Sequence, residues 1–267
     1  MQSQTSLLAA SNGQLNGHAL ASELQTQVEK AIAQTPIYDI HTHLYDPAFG
    51  DLLLYGIDDL LVYHYLVSEA FRNMTILYEK FWSLSKTEQA DLIWNALFIE
   101  NSPVSESCRG VLTTLNKLGI EPRRNDLSSL RKWFAQWNAL DYTQHCMELA
   151  NVKTICMTNS PFDDLERPTW EQGFSRHNGF TSALRIDPLL MQWEQTAGQM
   201  QGWGYDVSTH MDEKTIAAVR RFLLDWTQKM DALYVMVSLP PSFEYQITSD
   251  TAQLIKKAVL PFCRENN

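Results

Sequence analysis

Segments typical of strands and of helices alternate along the chain beyond residue 150. Three short apolar runs there are each followed by a segment of helical pattern: residues 152–157, 180–186 and 233–239. Such alternation indicates parallel strands joined by helices that cover the sheet. A fourth run, residues 37–40, follows a helical segment that ends before Pro36. The sequence therefore predicts a parallel α/β fold with four strands.

A long stretch of helical pattern separates the first strand from the others. It covers residues 45–150 and predicts a large helical insertion after strand one. Residues 1–20 are rich in Ser, Gln, Asn and Gly without periodicity, which predicts a disordered tail. Residues 21–267 are then one α/β barrel domain. We expect that domain to be incomplete, because a closed barrel of this type needs eight strands.

Composition excludes several classes of function. The chain has 31 acidic and 21 basic residues, a net charge of -10 and no run of Lys or Arg, so we expect neither nucleic acid nor an anionic membrane as partner. No apolar run reaches the roughly 18 residues of a membrane span, and residues 1–10 lack a positively charged start, so we expect neither a membrane segment nor export. The four cysteines form no C-x-x-C pair, which favours reduced thiols and a cytoplasmic location.

Two histidines, His41 and His43, directly follow the first predicted strand. Residues i and i+2 of a strand project to the same face, and barrel active sites lie at the C-terminal ends of the strands. Two imidazoles so placed suit Zn²⁺ or a similar divalent ion, with a carboxylate and water completing the shell. The alternative is a chance His-x-His. The context Asp-Ile-His-Thr-His-Leu, after a β-branched run, favours the metal site.

These residues resemble the amidohydrolase superfamily, whose first barrel strand ends in such a pair. Three further stretches resemble the uronate isomerases within it: residues 61–65 with His64-Tyr65, residues 158–165, and the strand end 183–188 with Arg185. Order and spacing agree over residues 36–267. Two departures leave the substrate open. Arg72 is one residue out of register with a family arginine, and Asn159 and Ser160 replace two acidic residues.

The resemblance implies a (β/α)8 TIM-type barrel, of which this chain is an N-terminal portion. It implies a metal-dependent aldose–ketose isomerase that converts glucuronate or galacturonate to the ketohexuronate, with one divalent metal, Zn²⁺, on His41 and His43. His64 and Arg185 would be catalytic, and His64, Tyr65 and Arg185 would bind the sugar acid. The aspartate base and third metal ligand are expected beyond residue 267, so we expect this chain alone to be inactive. A homo-oligomer is also possible.

Other interpretations remain open from the residues themselves. Arg185 at a strand end can grip a carboxylate with two parallel hydrogen bonds, or it can form an ion pair with Asp187. His64 lies in a helical pattern rich in aliphatic residues, where a structural histidine is common. The chain could also come from a metal-dependent hydrolase or decarboxylase of the same superfamily, or from a non-catalytic barrel that binds a sugar acid.

Overall fold

A parallel sheet of four strands forms the centre of the structure, a computed structural model that describes residues 21–42, 44–121 and 127–266. The strands lie in chain order: β1 (Ile37–Thr42), β2 (Val152–Asn159), β3 (Phe180–Arg185) and β4 (Ala232–Met236). All three pairings are parallel. The predicted α/β fold with four strands is confirmed for the described residues. The predicted 1–20 tail and His43 lie outside them.

All four strands end at residues other than those predicted, and β2 and β4 differ from the prediction by two residues or more at contacts that are identifiable. β2 continues to Asn159, where it pairs with Leu184 of β3. β4 ends at Met236, before the predicted end at residue 239, because the Ser238 N–H donates to the Asp187 carboxylate at 2.6 Å. This side-chain bond takes the place of a further backbone pairing.

Helices fill the insertion between β1 and β2, as predicted. Residues 21–34 form α1, before β1. The insertion contains a 3₁₀ helix (Pro47–Leu52), α2 (Ile57–Leu61), α3 (His64–Asn73), α4 (Tyr78–Trp82), α5 (Lys86–Trp94) with a π-helical extension (Asn95–Ile99), α6 (Glu106–Lys117), α7 (Leu127–Phe134) and α8 (Ala139–Leu149). It has its own apolar core, which includes Phe81, Ile93 and Leu115.

The remaining helices lie between β2, β3 and β4 or follow β4. They are α9 (Arg167–Gln172), α10 (Asp187–Met191), α11 (Trp193–Gly202), α12 (Glu213–Met230), α13 (Asp250–Leu254) with a π-helical extension (Ile255–Val259), and α14 (Leu260–Glu265). Of these, α12 packs against β3 and β4. Met157 and Leu184 of the sheet are buried against Phe222 of α12 in a second apolar core. No helix in the described parts of the chain combines the length and apolar character needed to cross a bilayer.

The sheet is curved across its other face. The Tyr234 hydroxyl on β4 donates to the Ile40 carbonyl on β1, although β2 and β3 lie between these strands. A flat sheet would hold the outer strands too far apart for this bond, because neighbouring strands are about 4.8 Å apart. The curvature is that of part of a barrel wall.

Candidate active site

The C-terminal ends of the strands meet at one edge of the sheet. Register pairs Thr42 of β1 with Met157, and Asn159 with Leu184 of β3. His41 and Arg185 therefore lie at the same edge, as the sequence predicted. In barrel enzymes this is the edge that carries the catalytic residues.

β1 has a bulge just before this edge. Asp39 pairs with Ile155 and Thr42 with Met157, so two residues of β1, Ile40 and His41, lie opposite one residue of β2. Bulges re-aim side chains and are common beside active sites. Simple alternation along β1 is therefore interrupted at His41, a feature that the sequence pattern did not predict.

A cavity of about 360 Å³ opens at the ends of β2 and β3. Its lining is mostly polar and consists of Tyr45, Thr158, Ser160, Phe162, Asp163, Glu166, Arg185, Asp187 and Pro188. A mostly polar cleft of this size, with a cation and several hydroxyl groups, suits a small polar acid.

Arg185 is the cation of this cavity. Its side chain is 36% exposed, and its Nε donates to Asp187 Oδ2 at 2.6 Å. The ion pair considered from the sequence is thus present. It occupies only Nε in the described part of the chain, and the terminal guanidinium nitrogens remain for a ligand. Because Asp187 also accepts the Ser238 N–H, it is itself held in place and orients Arg185.

Glu166 is a buried carboxylate in the same wall, 5% exposed. Its Oε1 accepts a hydrogen bond from the Tyr45 hydroxyl at 2.8 Å. Its Oε2 accepts from Asn159 Nδ2 at 2.8 Å and from the Ser160 N–H at 2.9 Å. Three donors on one carboxylate join the loop after β1 to the end of β2.

Burial raises the pKa of both Glu166 and Tyr45. Desolvation raises the pKa of Glu166, the three hydrogen bonds oppose that rise, and the charge of Asp163 adds to it. The pKa of Tyr45 is also raised, first by burial and then by the negative charge of Glu166. Tyr45 is therefore a neutral phenol that acts as a hydrogen-bond donor to the carboxylate.

Comparisons with solved structures identify relatives of this chain. A uronate isomerase from Bacillus halodurans C-125 is 46% identical, with a TM-score of 0.89, over 92% of this chain and 58% of that chain. In sequence and in structure this chain is similar to that uronate isomerase. The resemblance inferred from the motifs is thus confirmed, and so is the expected partial α/β barrel. The chain spans 58% of the length of this relative.

Two solved structures with lower sequence identity share the fold of this chain. A uronate isomerase from Thermotoga maritima is 15% identical, with a TM-score of 0.58, over 88% of this chain and 58% of that chain. A glucuronate isomerase from Caulobacter crescentus is 13% identical, with a TM-score of 0.53, over 86% of this chain and 55% of that chain. No model of a protein family and no curated protein matches the chain.

The metal ligands expected from the uronate isomerase resemblance are only partly described. His41 is exposed at the end of β1, and its backbone N–H donates to Asp39 Oδ1 at 3.1 Å. His43 is outside the described residues. Within residues 21–42, 44–121 and 127–266, no group of three or more His, Cys, Asp or Glu side chains could hold a metal. The imidazole of His41 and its position at the strand end fit a divalent ion such as Zn²⁺.

His64 and Tyr65 begin α3, and both are exposed. Their rings are in contact, with centroids 4.0 Å apart. Neither belongs to the lining of the Arg185 cavity. The preceding residue, Tyr63, lines another cavity together with Asp39 and Thr42 of β1. Their proposed contact with a uronate stays a prediction.

Of the nine residues that line the cavity, only Arg185 was named as a site residue from the sequence, and Tyr45, Glu166 and Asp187 are among those missed. Glu166 directly follows the stretch 158–165 that resembles the uronate isomerases, but no pattern in the sequence shows that its carboxylate is buried. Asp163 accepts hydrogen bonds from the backbone N–H groups of Leu165 and Glu166 at 2.8 and 3.3 Å, so its side chain stabilises the turn that precedes α9.

His177 does not line the cavity that contains Arg185. Its Nδ1 and the Asp46 carboxylate are 2.8 Å apart, and its backbone N–H donates to the same carboxylate. It precedes β3 at the N-terminal end, whereas Arg185 is at the C-terminal end. The two residues therefore lie at opposite edges of the sheet.

The buried carboxylate predicts a pH dependence of stability. Because the pKa of Glu166 is raised in the folded state, its contribution is fully present below the ordinary value of 4.5 and is lost as pH rises through the higher folded value. Glu166→Gln should remove this part of the dependence. Urea unfolding midpoints from about pH 4 to about pH 8 measure it. The exposed Glu194→Gln is the control, and identical pH profiles for all three proteins would contradict the prediction.

Proposed function

We propose that the protein carrying this sequence is a uronate isomerase that converts glucuronate or galacturonate to the ketohexuronate. The observation that carries the proposal is the polar cavity with Arg185 at the C-terminal edge of the sheet, in a chain 46% identical to a uronate isomerase. The reaction moves a proton from C2 of the aldose to C1 through an enediol.

Arg185 is proposed to bind the carboxylate of the sugar acid. Its terminal guanidinium nitrogens can form two parallel, charge-assisted hydrogen bonds to that group. The Asp187 contact at Nε fixes the plane of the guanidinium before substrate arrives. The carbon chain of the substrate would then extend along the wall that contains Thr158 and Ser160.

His64 and Tyr65 are proposed as further substrate contacts, with His64 stabilising charge that develops on the enediol. The cavity that Tyr63 shares with Thr42 supports this role, because Thr42 belongs to the strand that carries His41. The same strand end is proposed to hold one divalent metal, Zn²⁺, through His41 and His43. When bound, the ion would polarise the carbonyl and the adjacent hydroxyl of the substrate.

The test is an assay of the protein in its natural length with D-glucuronate and D-galacturonate. Proton NMR in D₂O follows the loss of the aldose and the deuterium gained at C1 of the ketose. The Bacillus halodurans isomerase serves as the positive control. Conversion that is lost with a chelator and restored by Zn²⁺ would support the proposal. No conversion of either uronate with added divalent metal would overturn it.

The rival functions give different results in the same experiment. A hydrolase or decarboxylase would leave uronates unchanged while cleaving amide, lactone or carboxylate substrates. A non-catalytic barrel would bind the acid without converting it. The expectation that residues 1–267 alone are inactive is tested by assaying that chain beside the others.

Location and assembly are finer proposals. Four free thiols support a reduced, cytoplasmic setting: Cys108, Cys146, Cys156 and Cys263. Exposed apolar side chains on the outer strands, such as Ile40 and Leu233, support association into a homo-oligomer. A small sugar acid is the proposed ligand.

A further inference from the structure

Three hydroxyl side chains share the cavity with Arg185: Tyr45, Thr158 and Ser160. A hydroxyl can donate one hydrogen bond and accept others, so its partners in the protein determine what it offers to a ligand. The contacts of these three groups divide them into acceptors and a donor.

The hydroxyl of Tyr45 already donates its hydrogen bond within the protein. Its hydroxyl donates to Glu166 Oε1 at 2.8 Å. The carboxylate cannot rotate away without loss, because its other oxygen holds Asn159 Nδ2 and the Ser160 N–H. With Glu166 only 5% exposed, water does not replace these partners. Because its proton is donated to Glu166, the phenol oxygen of Tyr45 can offer a ligand in the cavity only an acceptor.

Thr158 and Ser160 offer opposite functions. Thr158 Oγ1 donates to the Thr42 carbonyl at 3.3 Å, which leaves its oxygen as an acceptor. Ser160 Oγ accepts from the Phe162 N–H at 3.3 Å, which leaves its own proton to donate. The guanidinium of Arg185 offers donors for a carboxylate. For the hydroxyl groups of a ligand, the cavity offers two acceptors, Tyr45 and Thr158, and one donor, Ser160.

We infer that Tyr45 is a specificity-determining residue that accepts a hydrogen bond from a hydroxyl of the bound acid, and that Glu166 is a positioning residue that sets this polarity. The inference rests on the proposed function, because it assumes that Arg185 binds the carboxylate of a sugar acid. It adds that the cavity selects polyhydroxylated acids over acids of similar size without hydroxyl groups.

Tyr45→Phe and Glu166→Gln test this in the protein of natural length. Isothermal titration compares D-glucuronate with cyclohexanecarboxylate, a carboxylate on a six-membered ring without hydroxyls. Losing one hydrogen bond should weaken D-glucuronate binding by about tenfold in each variant. Binding of cyclohexanecarboxylate should change by less than about twofold. Since Tyr45→Phe removes a single oxygen atom, it tests the inference even if Glu166→Gln folds poorly.

The double variant and Arg185→Ala separate the possible outcomes. If Glu166 acts through Tyr45, the double variant should discriminate between the two acids no less than Tyr45→Phe does. Equal weakening of both acids, or additive losses, would overturn the inference. Suppose that the wild type binds D-glucuronate, that Arg185→Ala abolishes this binding, and that the Tyr45 and Glu166 variants retain it. The inference about Tyr45 is then wrong, while the proposed function stands. If wild type binds neither acid, the proposed function falls with it.

Discussion

Replacing Arg185 with alanine in the protein of natural length is expected to lower kcat/KM for D-glucuronate by about 100-fold or more. The change removes the charged group that lines the cavity at the end of β3 and leaves the substrate carboxylate without its donors. It also leaves Asp187 without its ion pair, so the unpaired Asp187 carboxylate would repel the carboxylate of the substrate. Steady-state kinetics by the NMR assay measure the effect.

Two variants control for the loss of charge. Arg185→Lys keeps the charge but loses the planar fork, so it should recover part of the lost activity. Arg221→Ala removes an arginine on α12 whose side chain is 57% exposed and outside the cavity, and it should leave kcat/KM unchanged. Full activity in Arg185→Ala would show that the substrate carboxylate is held elsewhere.

Replacing Phe222 with alanine is expected to destabilise the protein by about 3–5 kcal/mol. Phe222 on α12 is 0% exposed. Its ring contacts the rings of Phe162 and Tyr205, with centroids 5.1 and 5.4 Å away. Removing it would leave a cavity at the point where α12 packs on the sheet. Urea unfolding followed by far-UV circular dichroism measures the free energy of unfolding.

A matched control lies two residues along the same helix. Leu224 is 38% exposed, so Leu224→Ala should cost less than about 1 kcal/mol. Because Phe162 also lines the site cavity, Phe222→Ala should in addition weaken substrate binding. Equal losses of stability in the two variants would show that α12 does not anchor this core.

The local pattern of the sequence was sufficient to predict the four strands and the residues near their C-terminal ends. Short apolar runs followed by helical segments predicted four parallel strands, and the long helical pattern predicted the insertion. Since the carboxyl ends of parallel strands meet at one edge, the positions of His41 and Arg185 followed from the sequence as well. The motifs around them were enough to indicate the relationship to uronate isomerases.

The polarity of the cavity could not be inferred in this way. Tyr45 and Glu166 are 121 residues apart, and only the pairing of β1 with β2 brings them together. A glutamate is usually exposed, so its burial and its three donors follow from tertiary packing and not from its identity. The bulge at His41 is likewise invisible to a pattern of alternation. The sequence by itself determined which strands form and which residues lie near their ends, because these depend on local hydrophobic periodicity. Only the tertiary structure decided which groups share the cavity and which way their protons point, because those depend on contacts between distant segments.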